Sequence, residues 1–377
     1  MNRWVMLIIL GALWQGTKTE PEGRPRVREF GLRPGVLAPG PLNAITDVAG
    51  VKVGQTTIVR GPGIRTGVTA VIPHEGNLYQ DKVAGAVAVA NGYGKLTGLS
   101  QVEELGTIET PVILTNTLSV PEAAAAVIDY TLAQPGNEAV QSVNPVVGET
   151  NDGYLNDIRG RQVRKEHVLE AIAGAAGGPV EEGGVGAGTG TVCYDFKGGI
   201  GTSSRKLPAE RGGWTVGVLV QTNHGGILQV AGLRVGERLR ERGAASGAGP
   251  KPEGSCLIVV ATDAPLDSRN LKRLARRALL GIPRTGGYYS NGSGDYAVAF
   301  STAREVRTPH RPSSPTRSVT LLEDGETSPL FLAAAEAAEE AILNSLFKAR
   351  RTEGRDGRVV EALPLDLIRE MAAGRRP

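Results

Sequence analysis

The stretch Gly254-Ser-Cys-Leu-Ile-Val-Val-Ala-Thr262 contains an apolar run that begins at Ser255. It follows a segment, 242–253, that is rich in glycine, alanine and proline. An apolar run of this length predicts a buried strand, and the preceding composition predicts a flexible linker. Cleavage before Ser255 would give this residue a hydroxyl nucleophile and a free α-amine to act as its base. The stretch therefore suggests a self-cleaving precursor, although a Gly-Ser pair before a strand is more often an ordinary turn.

The 377-residue chain has the composition of a globular protein, with 40% hydrophobic and 21% charged residues. Its 52 glycines are about twice the average share and indicate many tight turns. Aromatic residues make up only 4% of the chain, which argues against a stacking platform for single-stranded nucleic acid. The net charge of +3 comes from scattered arginines rather than from a cluster, so we expect no nucleic-acid partner.

The cysteines and histidines show no pattern of metal ligands. Cys193 and Cys256 could pair with each other, but because both are flanked by apolar residues they are predicted to be free residues of the core. Because Cys256 follows Ser255 directly, its side chain should point to the opposite face of the strand. The histidines have no metal-ligand spacing; they are His74, His167, His224 and His310. We therefore predict neither a catalytic metal nor a cofactor.

The first residues have the features of a secretory signal. One positive charge precedes the apolar run Trp4–Trp14, which is shorter than a comfortable membrane span. Residues 1–27 are therefore predicted to form a signal peptide and an arm, and the protein to be exported. No clean cleavage site follows the run, so the alternatives are an uncleaved anchor and a cytoplasmic protein whose apolar run is not a signal. No other long apolar run occurs, so we predict no further membrane contact.

Short strand-like runs alternate with helical stretches along the rest of the chain. The predicted strands include Val51–Val53, Thr56–Val59, Gly67–Ile72, Ala84–Ala90, Thr215–Val220 and Asp295–Phe300. The predicted helices include Pro121–Asp129, Lys165–Ala175, Asp267–Leu280 and Pro329–Lys348. Buried strands combined with amphipathic helices predict two sheets packed between layers of helices, an α/β sandwich.

The glycine-rich run Gly183-Gly-Val-Gly-Ala-Gly-Thr-Gly190 does not satisfy the dinucleotide-binding fingerprint. Thr189 occupies the position of the last glycine in G-x-G-x-x-G, and no clear strand precedes the run. We predict turns between strands instead, with backbone N–H groups that line a site.

Seven stretches of the sequence match motifs of one protein family and keep that family's order from about residue 28 to the end. They are Gly40-Pro-Leu-Asn-Ala-Ile-Thr-Asp-Val-Ala-Gly50, Leu114-Thr-Asn-Thr-Leu-Ser-Val120, Gly148-Glu-Thr-Asn-Asp-Gly-Tyr-Leu-Asn-Asp157, Lys197-Gly-Gly-Ile-Gly-Thr-Ser-Ser-Arg205, Val216-Gly-Val-Leu-Val-Gln-Thr-Asn223, Val259-Val-Ala-Thr-Asp-Ala-Pro-Leu266 and Asn291-Gly-Ser-Gly-Asp295. On these residues the chain resembles the DmpA family of bacterial aminopeptidases, which includes L-aminopeptidase/D-Ala-esterase/amidases and β-aminopeptidases.

The resemblance implies a single peptidase domain, residues 28–377, with a four-layer α-β-β-α sandwich of the type shared with ornithine acetyltransferases. It implies autocatalytic cleavage between Gly254 and Ser255, which would leave an α chain ending at residue 254 and a β chain of residues 255–377. Such αβ units usually assemble into a homo-oligomer. The implied substrates are short peptides, amides or esters with a free amino terminus.

The resemblance makes Ser255 the nucleophile, with its own α-amine as the base. The reference pKa of an α-amine, about 7.7–8.0, suits that role near neutral pH. Ser293 and Asp295 match the family's second serine and a carboxylate. Ser293 would hydrogen-bond the amine or hydroxyl of Ser255, and Asp295 would orient this network and stabilise the ammonium. Some members carry glutamate there, so the shorter aspartate changes the reach of the carboxylate.

Asn223 matches a family asparagine whose amide helps to bind the oxyanion, a contact worth about 2.7–4 kcal/mol in the transition state. A family tyrosine serves the same oxyanion, and we assign that role to Tyr154, the only tyrosine of its motif. In a shifted register, Asn151 would occupy the position and the tyrosine role would be lost.

Two further acidic residues have alternative interpretations. Glu149 lies in the same motif as Tyr154 and would bind the ammonium group of the substrate, or else form a structural salt bridge. Asp263 follows the nucleophile strand and is expected to be structural, capping the turn into the helix at residue 267.

The leading hypothesis is a self-processing serine aminopeptidase that forms an acyl-enzyme on Ser255, with its preference for L-α-, D-Ala or β-amino acids left open. Acyl transfer of the ornithine acetyltransferase type is a second hypothesis, weakened because those enzymes cleave before a threonine. A non-enzymatic exported binding protein that never cleaves is a third. A binding scaffold has no need of Ser255, Ser293, Asp295 and Asn223 together, which argues against it.

Overall fold

The computed structural model describes residues 23–242 and 254–374. Most of the predicted signal segment and nearly all of the predicted linker lie outside these described residues. No helix within them is long and apolar enough to span a bilayer.

The strands of the described residues form two main sheets and two short hairpins. In chain order they are β1 (Lys52–Arg60), β2 (Ile64–Ile72), β3 (Asp81–Gly92), β4 (Thr107–Ile108), β5 (Val112–Asn116), β6 (Val146–Thr150), β7 (Val192–Cys193), β8 (Phe196–Lys197), β9 (Ile200–Lys206), β10 (Thr215–Asn223), β11 (Ser255–Thr262), β12 (Gly294–Ser301), β13 (Thr308–Pro309), β14 (Thr352–Glu353) and β15 (Val359–Val360). One sheet has the order β1-β2-β5-β6. The other has the order β13-β3-β12-β11-β10-β9, with β4 also paired to β3. The short hairpins are β7–β8 and β14–β15.

Helices cover the outer face of each sheet. In chain order they are α1 (Leu99–Leu105), α2 (Val120–Leu132), α3 (Lys165–Ala173), α4 (Val235–Glu241), α5 (Ser268–Ala278), α6 (Gly281–Arg284), α7 (Ser328–Lys348) and α8 (Leu365–Ala373). Helix α7 packs on β9 and β10, and α5 packs on β3 and β12. Helices α2 and α3 pack on the four-stranded sheet.

Alternation of side chains along β11 explains why the sheets stack. Cys256 and Ile258 point into an apolar cluster shared with α5 and α7, whereas Leu257 and Val259 point into a second cluster between the two sheets. A third cluster lies between the four-stranded sheet and helices α2 and α3. The four-layer sandwich predicted from the sequence is therefore confirmed, as is the opposite orientation of Cys256. Both Cys193 and Cys256 are buried and free, as predicted.

Most predicted elements are present with shifted ends. The predicted runs Val51–Val53 and Thr56–Val59 are parts of one strand, β1. Helices α4 and α8, and strand β6, were not assigned from the sequence pattern. They are short, at 7, 9 and 5 residues, so their periodicity gives little signal.

The predicted role of Asp263 is wrong in its detail. Helix α5 begins at Ser268 and is capped by Asp267, whose carboxylate accepts the N–H of Asn270 at 2.8 Å. The Asp263 carboxylate instead accepts the N–H of Thr215 at 2.7 Å. This contact joins the end of β11 to the start of β10, so Asp263 is structural for another reason.

The glycine-rich run at residues 183–190 is a packing element. It contains a 3₁₀ turn, Gly186–Gly188, that lies against β1 and β2. A β-carbon at Gly188 would come within 2.5 Å of Gly199, and one at Gly186 would overlap the hydroxyl of Thr69. None of these eight residues, all of which the structure describes, lines the cavity at Ser255. The expectation that their N–H groups line a site is not met at this cavity; the N–H groups of Gly186 and Ala187 instead donate to the hydroxyls of Thr57 and Thr69.

A buried cluster of charges ties the chain before β1 to helix α7. Arg205 of β9 is fully buried and pairs with Glu336 at 3.1 Å and with Glu340 at 2.8 Å. Arg28 pairs with Glu340 at 2.7 Å. Because each of these charges has an opposite charge in contact, loss of one partner would leave another uncompensated in the interior.

Gly201 of β9 lies directly beneath α7, where a β-carbon would overlap the carbonyl oxygen of Ala341. Gly201→Ala should push the helix from the sheet and lower the free energy of unfolding by about 1–3 kcal/mol. At Gly177 a β-carbon would have no atom within 4 Å, so Gly177→Ala is the matched control, expected within about 0.5 kcal/mol of wild type. Urea denaturation of the three proteins measures both effects. Equal stability of the two variants would contradict this packing.

Candidate active site

Three neighbouring strands bring the predicted residues to one edge of the larger sheet. Asn223 lies opposite Ser255 in the antiparallel pair β10–β11, and Ser255 lies beside Gly294 in the parallel pair β11–β12. The Ser255 hydroxyl accepts the N–H of Gly294 at 3.2 Å. Directly opposite residues have side chains on the same face of the sheet. That face looks towards the other sheet, because Leu257, two residues further along β11, belongs to the core between the sheets.

A cavity of about 330 Å³ opens over Ser255 at the edge where the two sheets meet. Of the residues predicted from the sequence, Asn223, Gly254, Glu149, Asn151 and Tyr154 line the cavity together with Ser255. Six residues with polar side chains that were not predicted as site residues also line it: Tyr93, Lys95, Thr117, Tyr194, Asp195 and His224. The volume lies at the lower end of the range for small-molecule clefts.

Asn223 lines this cavity, and one hydrogen bond holds its side-chain amide. Its side-chain oxygen accepts the N–H of Val192, in strand β7, at 3.0 Å. This hydrogen bond fixes the orientation of the amide and leaves the NH₂ group to donate elsewhere. The residue is 8% exposed, so a donated hydrogen bond would be strong in this weakly solvated position.

Gly254 runs tightly against the end of β10. A β-carbon at this position would overlap the carbonyl oxygen of Asn223 and come within 2.5 Å of the α-carbon of His224. Only glycine fits so close an approach of two backbones. The peptide before Ser255 is therefore held beside Asn223 by backbone contact.

Glu149 forms an anionic part of the cavity wall. Its carboxylate accepts the N–H of Lys95 at 2.9 Å and the hydroxyl of Thr117. Burial raises the pKa of Glu149, and these two hydrogen bonds and the charge of Lys95 oppose the rise. Glu149 makes no salt bridge within the described residues, so the structural alternative has no support from their contacts.

The structure places both candidates for the second oxyanion donor in the cavity. The side-chain oxygen of Asn151 accepts the N–H of Gly153 at 2.9 Å, which leaves its NH₂ group to donate. The ring of Tyr154 lies against the guanidinium of Arg358, at 5.2 Å from the ring centre. The two assignments made from the sequence therefore stay open.

Ser293 and Asp295 lie behind the cavity rather than on its wall. They border a very small adjacent cavity of about 10 Å³, which also touches His224. Asp295 is 1% exposed, and neither of its carboxylate oxygens makes a well-formed hydrogen bond. Burial raises the pKa of Asp295 to about 6, and the nearby Ser293 hydroxyl and Cys256 N–H lower it only in part. An ionised Asp295 is thus held close to the start of β11 without a cationic partner.

His224 and Tyr194 form a buried support beneath the end of β10. The hydroxyl of Tyr194 contacts Thr285 at 2.9 Å and His224 at 3.3 Å. Burial lowers the pKa of His224 to about 4, so the ring is neutral at pH 7. Sequence reasoning considered His224 only as a metal ligand. Its position directly after Asn223 was the signal that could have placed it near the site.

No group of three or more histidine, cysteine, aspartate or glutamate side chains suited to a metal ion occurs in residues 23–242 and 254–374.

Comparison with known proteins finds similar sequences and structures. Residues 43–360 match peptidase family S58. The chain is 42% identical over 374 residues to a β-peptidyl aminopeptidase of Sphingosinicella xenopeptidilytica, in a match that covers 94% of this chain and 92% of that protein.

Solved structures of two enzymes are also similar. A β-aminopeptidase of Burkholderia sp. has a TM-score of 0.86 and 44% identity, covering 94% of this chain and 100% of that chain. The L-aminopeptidase D-Ala-esterase/amidase of Ochrobactrum anthropi has a TM-score of 0.85 and 38% identity, covering 93% of this chain and 98% of that chain. The latter is described as a prototype for the serine aminopeptidases and as a variant of the Ntn hydrolase fold.

The buried carboxylate of Asp295 should reduce the stability of the fold above pH 6. Its pKa rises from an ordinary value of 3.8 to about 6, so its contribution to stability is complete below pH 4 and is lost as the pH rises through 6. This corresponds to about 3 kcal/mol at pH 7. In a Ser255→Ala background, Asp295→Asn should therefore raise the free energy of unfolding at pH 7 and leave it nearly unchanged at pH 4. Urea denaturation at both pH values measures the difference, and equal gains at both would contradict the assignment.

Proposed function

Because the chain belongs to peptidase family S58 and is a serine aminopeptidase of the DmpA type, we propose that Ser255 is its nucleophile and that the chain exposes it by cleaving itself before Ser255. The observation that carries this proposal is the register of β10, β11 and β12. It places the Ser255 hydroxyl, the Asn223 amide and the Gly254 backbone at one point of the cavity wall.

Self-cleavage begins with attack of the Ser255 hydroxyl oxygen on the carbonyl carbon of Gly254. The Gly254–Ser255 peptide bond breaks as the new ester forms, and the nitrogen of Ser255 takes up a proton. Water then hydrolyses the ester, which leaves the carboxylate of Gly254 and a free α-amine on Ser255. The tight approach of Gly254 to the Asn223 backbone supports this step, because it keeps the scissile peptide next to the residue whose amide would stabilise the oxyanion.

Peptide hydrolysis then uses the new α-amine as a general base. The amine takes the proton of the Ser255 hydroxyl as this attacks the substrate carbonyl, and it returns the proton to the departing amine. Asn223 donates to the oxyanion, with Tyr154 or Asn151 as the second donor. A water molecule, deprotonated by the same α-amine, hydrolyses the acyl-enzyme. Asp295 stabilises the ammonium form of Ser255, and Ser293 connects the two by hydrogen bonds.

The substrates proposed are short peptides, amides or esters with a free amino terminus. Glu149 is the group that binds their ammonium, since its partners within the described residues are hydrogen-bond donors and it forms no salt bridge with a cation. The similar enzymes of Sphingosinicella and Burkholderia are named for β-peptides or β-amino acids. We therefore include N-terminal β-amino acids among the substrates of this enzyme.

Two features of the mature protein are proposed from the sequence alone. The apolar run Trp4–Trp14 supports export, and the resemblance to the DmpA family supports an oligomer of αβ units. The acyl-transfer and binding-protein alternatives are not favoured by the family assignment.

Ser255→Ala should abolish self-cleavage and aminopeptidase activity, because it removes the attacking oxygen. Intact mass spectrometry should find two wild-type chains that separate at Gly254 and Ser255, and a single chain for the variant. Ser313→Ala, in an exposed loop, is the matched control and should process like wild type. A wild-type protein that remains one chain, or a Ser255→Ala protein that is cut at the same bond, would overturn the proposed mechanism.

Asn223→Ala should lower kcat by about 10²–10³-fold with little change in KM, because its amide acts on charge that develops in the transition state. Steady-state kinetics on an aminoacyl p-nitroanilide provide the measurement, with rates expressed per molecule that intact mass spectrometry shows to be cleaved before Ser255. Tyr154→Phe and Asn151→Ala, measured in parallel, identify the second donor as the residue whose change lowers kcat. An Asn223→Ala enzyme with wild-type kcat would exclude this residue from the oxyanion site.

A further inference from the structure

We propose that Asp195 recognises a second cationic group of the substrate, so that the enzyme prefers peptides carrying a side-chain ammonium or guanidinium besides their N-terminal amine. This inference rests on the proposed function, since it assigns specificity within the same cavity. It adds a cationic side chain to the substrate class proposed above.

Asp195 is held in an unusual backbone conformation on the cavity wall. Cys193 pairs with Phe196 in the β7–β8 hairpin, so Tyr194 and Asp195 form its two-residue turn. Their φ angles are +52° and +67°, in the left-handed region. Two-residue turns of this kind normally contain Asn-Gly or similar pairs, because bulky side chains are strained there. Residues kept in strained conformations concentrate at functional sites, where surrounding contacts enforce the geometry.

Those surrounding contacts are present on the Tyr194 side of the turn. The N–H of Tyr194 donates to the carbonyl of His224 at 2.8 Å, and its hydroxyl contacts Thr285 at 2.9 Å. The Tyr194 ring packs edge-on against His224, with 5.0 Å between ring centres. The turn is therefore anchored to the end of β10, next to Asn223. Asp195 occupies a defined position on the wall of the nucleophile's cavity.

The carboxylate of Asp195 has no partner in the part of the chain that the structure describes: no hydrogen bond and no ion pair within 4 Å involves it. It is only partly exposed, and this burial raises its pKa, with the charge of Arg240 opposing the rise. Arg240 lies on the solvent side of α4 and is too distant for an ion pair. A partly desolvated carboxylate without a partner gains most from a cation that enters the cavity.

Asp195 and Glu149 have different polar and charged neighbours. The groups that act on the pKa of Glu149 are Thr117 and Lys95, whereas the charge that acts on Asp195 is that of Arg240. No ion pair within the described residues joins Lys95 to Asp195. Since the N-terminal ammonium is proposed to bind Glu149, Asp195 is available for a second cation on the same substrate.

Paired substrates that differ only in a cation test the inference. One arm places the cation in the N-terminal residue, comparing lysine p-nitroanilide with norleucine p-nitroanilide. The other arm places it in the second residue, comparing β-alanyl-lysine amide with β-alanyl-norleucine amide. In at least one arm the wild-type kcat/KM should be about 10-fold higher for the cationic member, and 0.5 M NaCl should reduce this ratio.

Asp195→Asn should bring that ratio close to one. Asparagine tolerates the left-handed conformation, so the hairpin is kept. Glu241→Gln removes an exposed carboxylate of α4 outside the cavity and is the matched control, expected to keep the wild-type ratio. Glu149→Gln should instead lower kcat/KM for cationic and neutral members by the same factor.

Three results would overturn the inference while leaving the proposed function in place: wild-type ratios near one in both arms, a ratio unaffected by Asp195→Asn, or an equal fall in the ratio for Glu241→Gln. A wild-type protein that hydrolyses none of the four substrates would overturn the proposed function itself, and this inference with it.

Discussion

Strand β11 is hydrogen-bonded to β10 on one side and to β12 on the other, and its register determines what surrounds Ser255. A shift by one residue would turn Ser255 towards the helices and bring Cys256 to the cavity. The packed cores on both faces of the strand oppose such a shift, because every residue from Cys256 to Ala261 is completely buried. The chemistry at Ser255 therefore depends on the same apolar contacts that hold the four layers together.

The site contains several groups that are unfavourable for stability. Asp295 is buried without a cation, His224 is buried in its neutral form, and Tyr194 is held in a left-handed conformation. Each lies in or beside the cavity over Ser255. Proteins tolerate such groups where function requires them, and the surrounding packing offsets their cost. Here the offsetting contacts are the extensive apolar clusters on both sides of the larger sheet.

The two sheets contribute different groups to the cavity. The larger sheet and its β7–β8 hairpin supply Ser255, Asn223 and Asp195, whereas the smaller sheet supplies Glu149 from the end of β6. In the proposed mechanism, Ser255 and the oxyanion donor Asn223 thus lie on the larger sheet. Glu149 and the second oxyanion donor, Tyr154 or Asn151, come from β6 and the residues directly after it, so the packing between the sheets sets the proposed distance from the substrate amine to the scissile bond. The spacing between the two sheets would therefore limit the size of the substrate's N-terminal residue.

Local pattern in the sequence determined the buried strand at Ser255, the layered sandwich and the buried free cysteines. These depend on apolar runs, periodicity and neighbouring residues, which are physical properties of short segments. Only the tertiary structure decided that Asp295 lies behind the cavity and that Asp263 supports β10. It also decided that Lys95, Thr117 and Asp195 share the wall with Ser255. These residues come from segments far apart in the chain, and their meeting depends on strand register and layer packing, which no local pattern encodes.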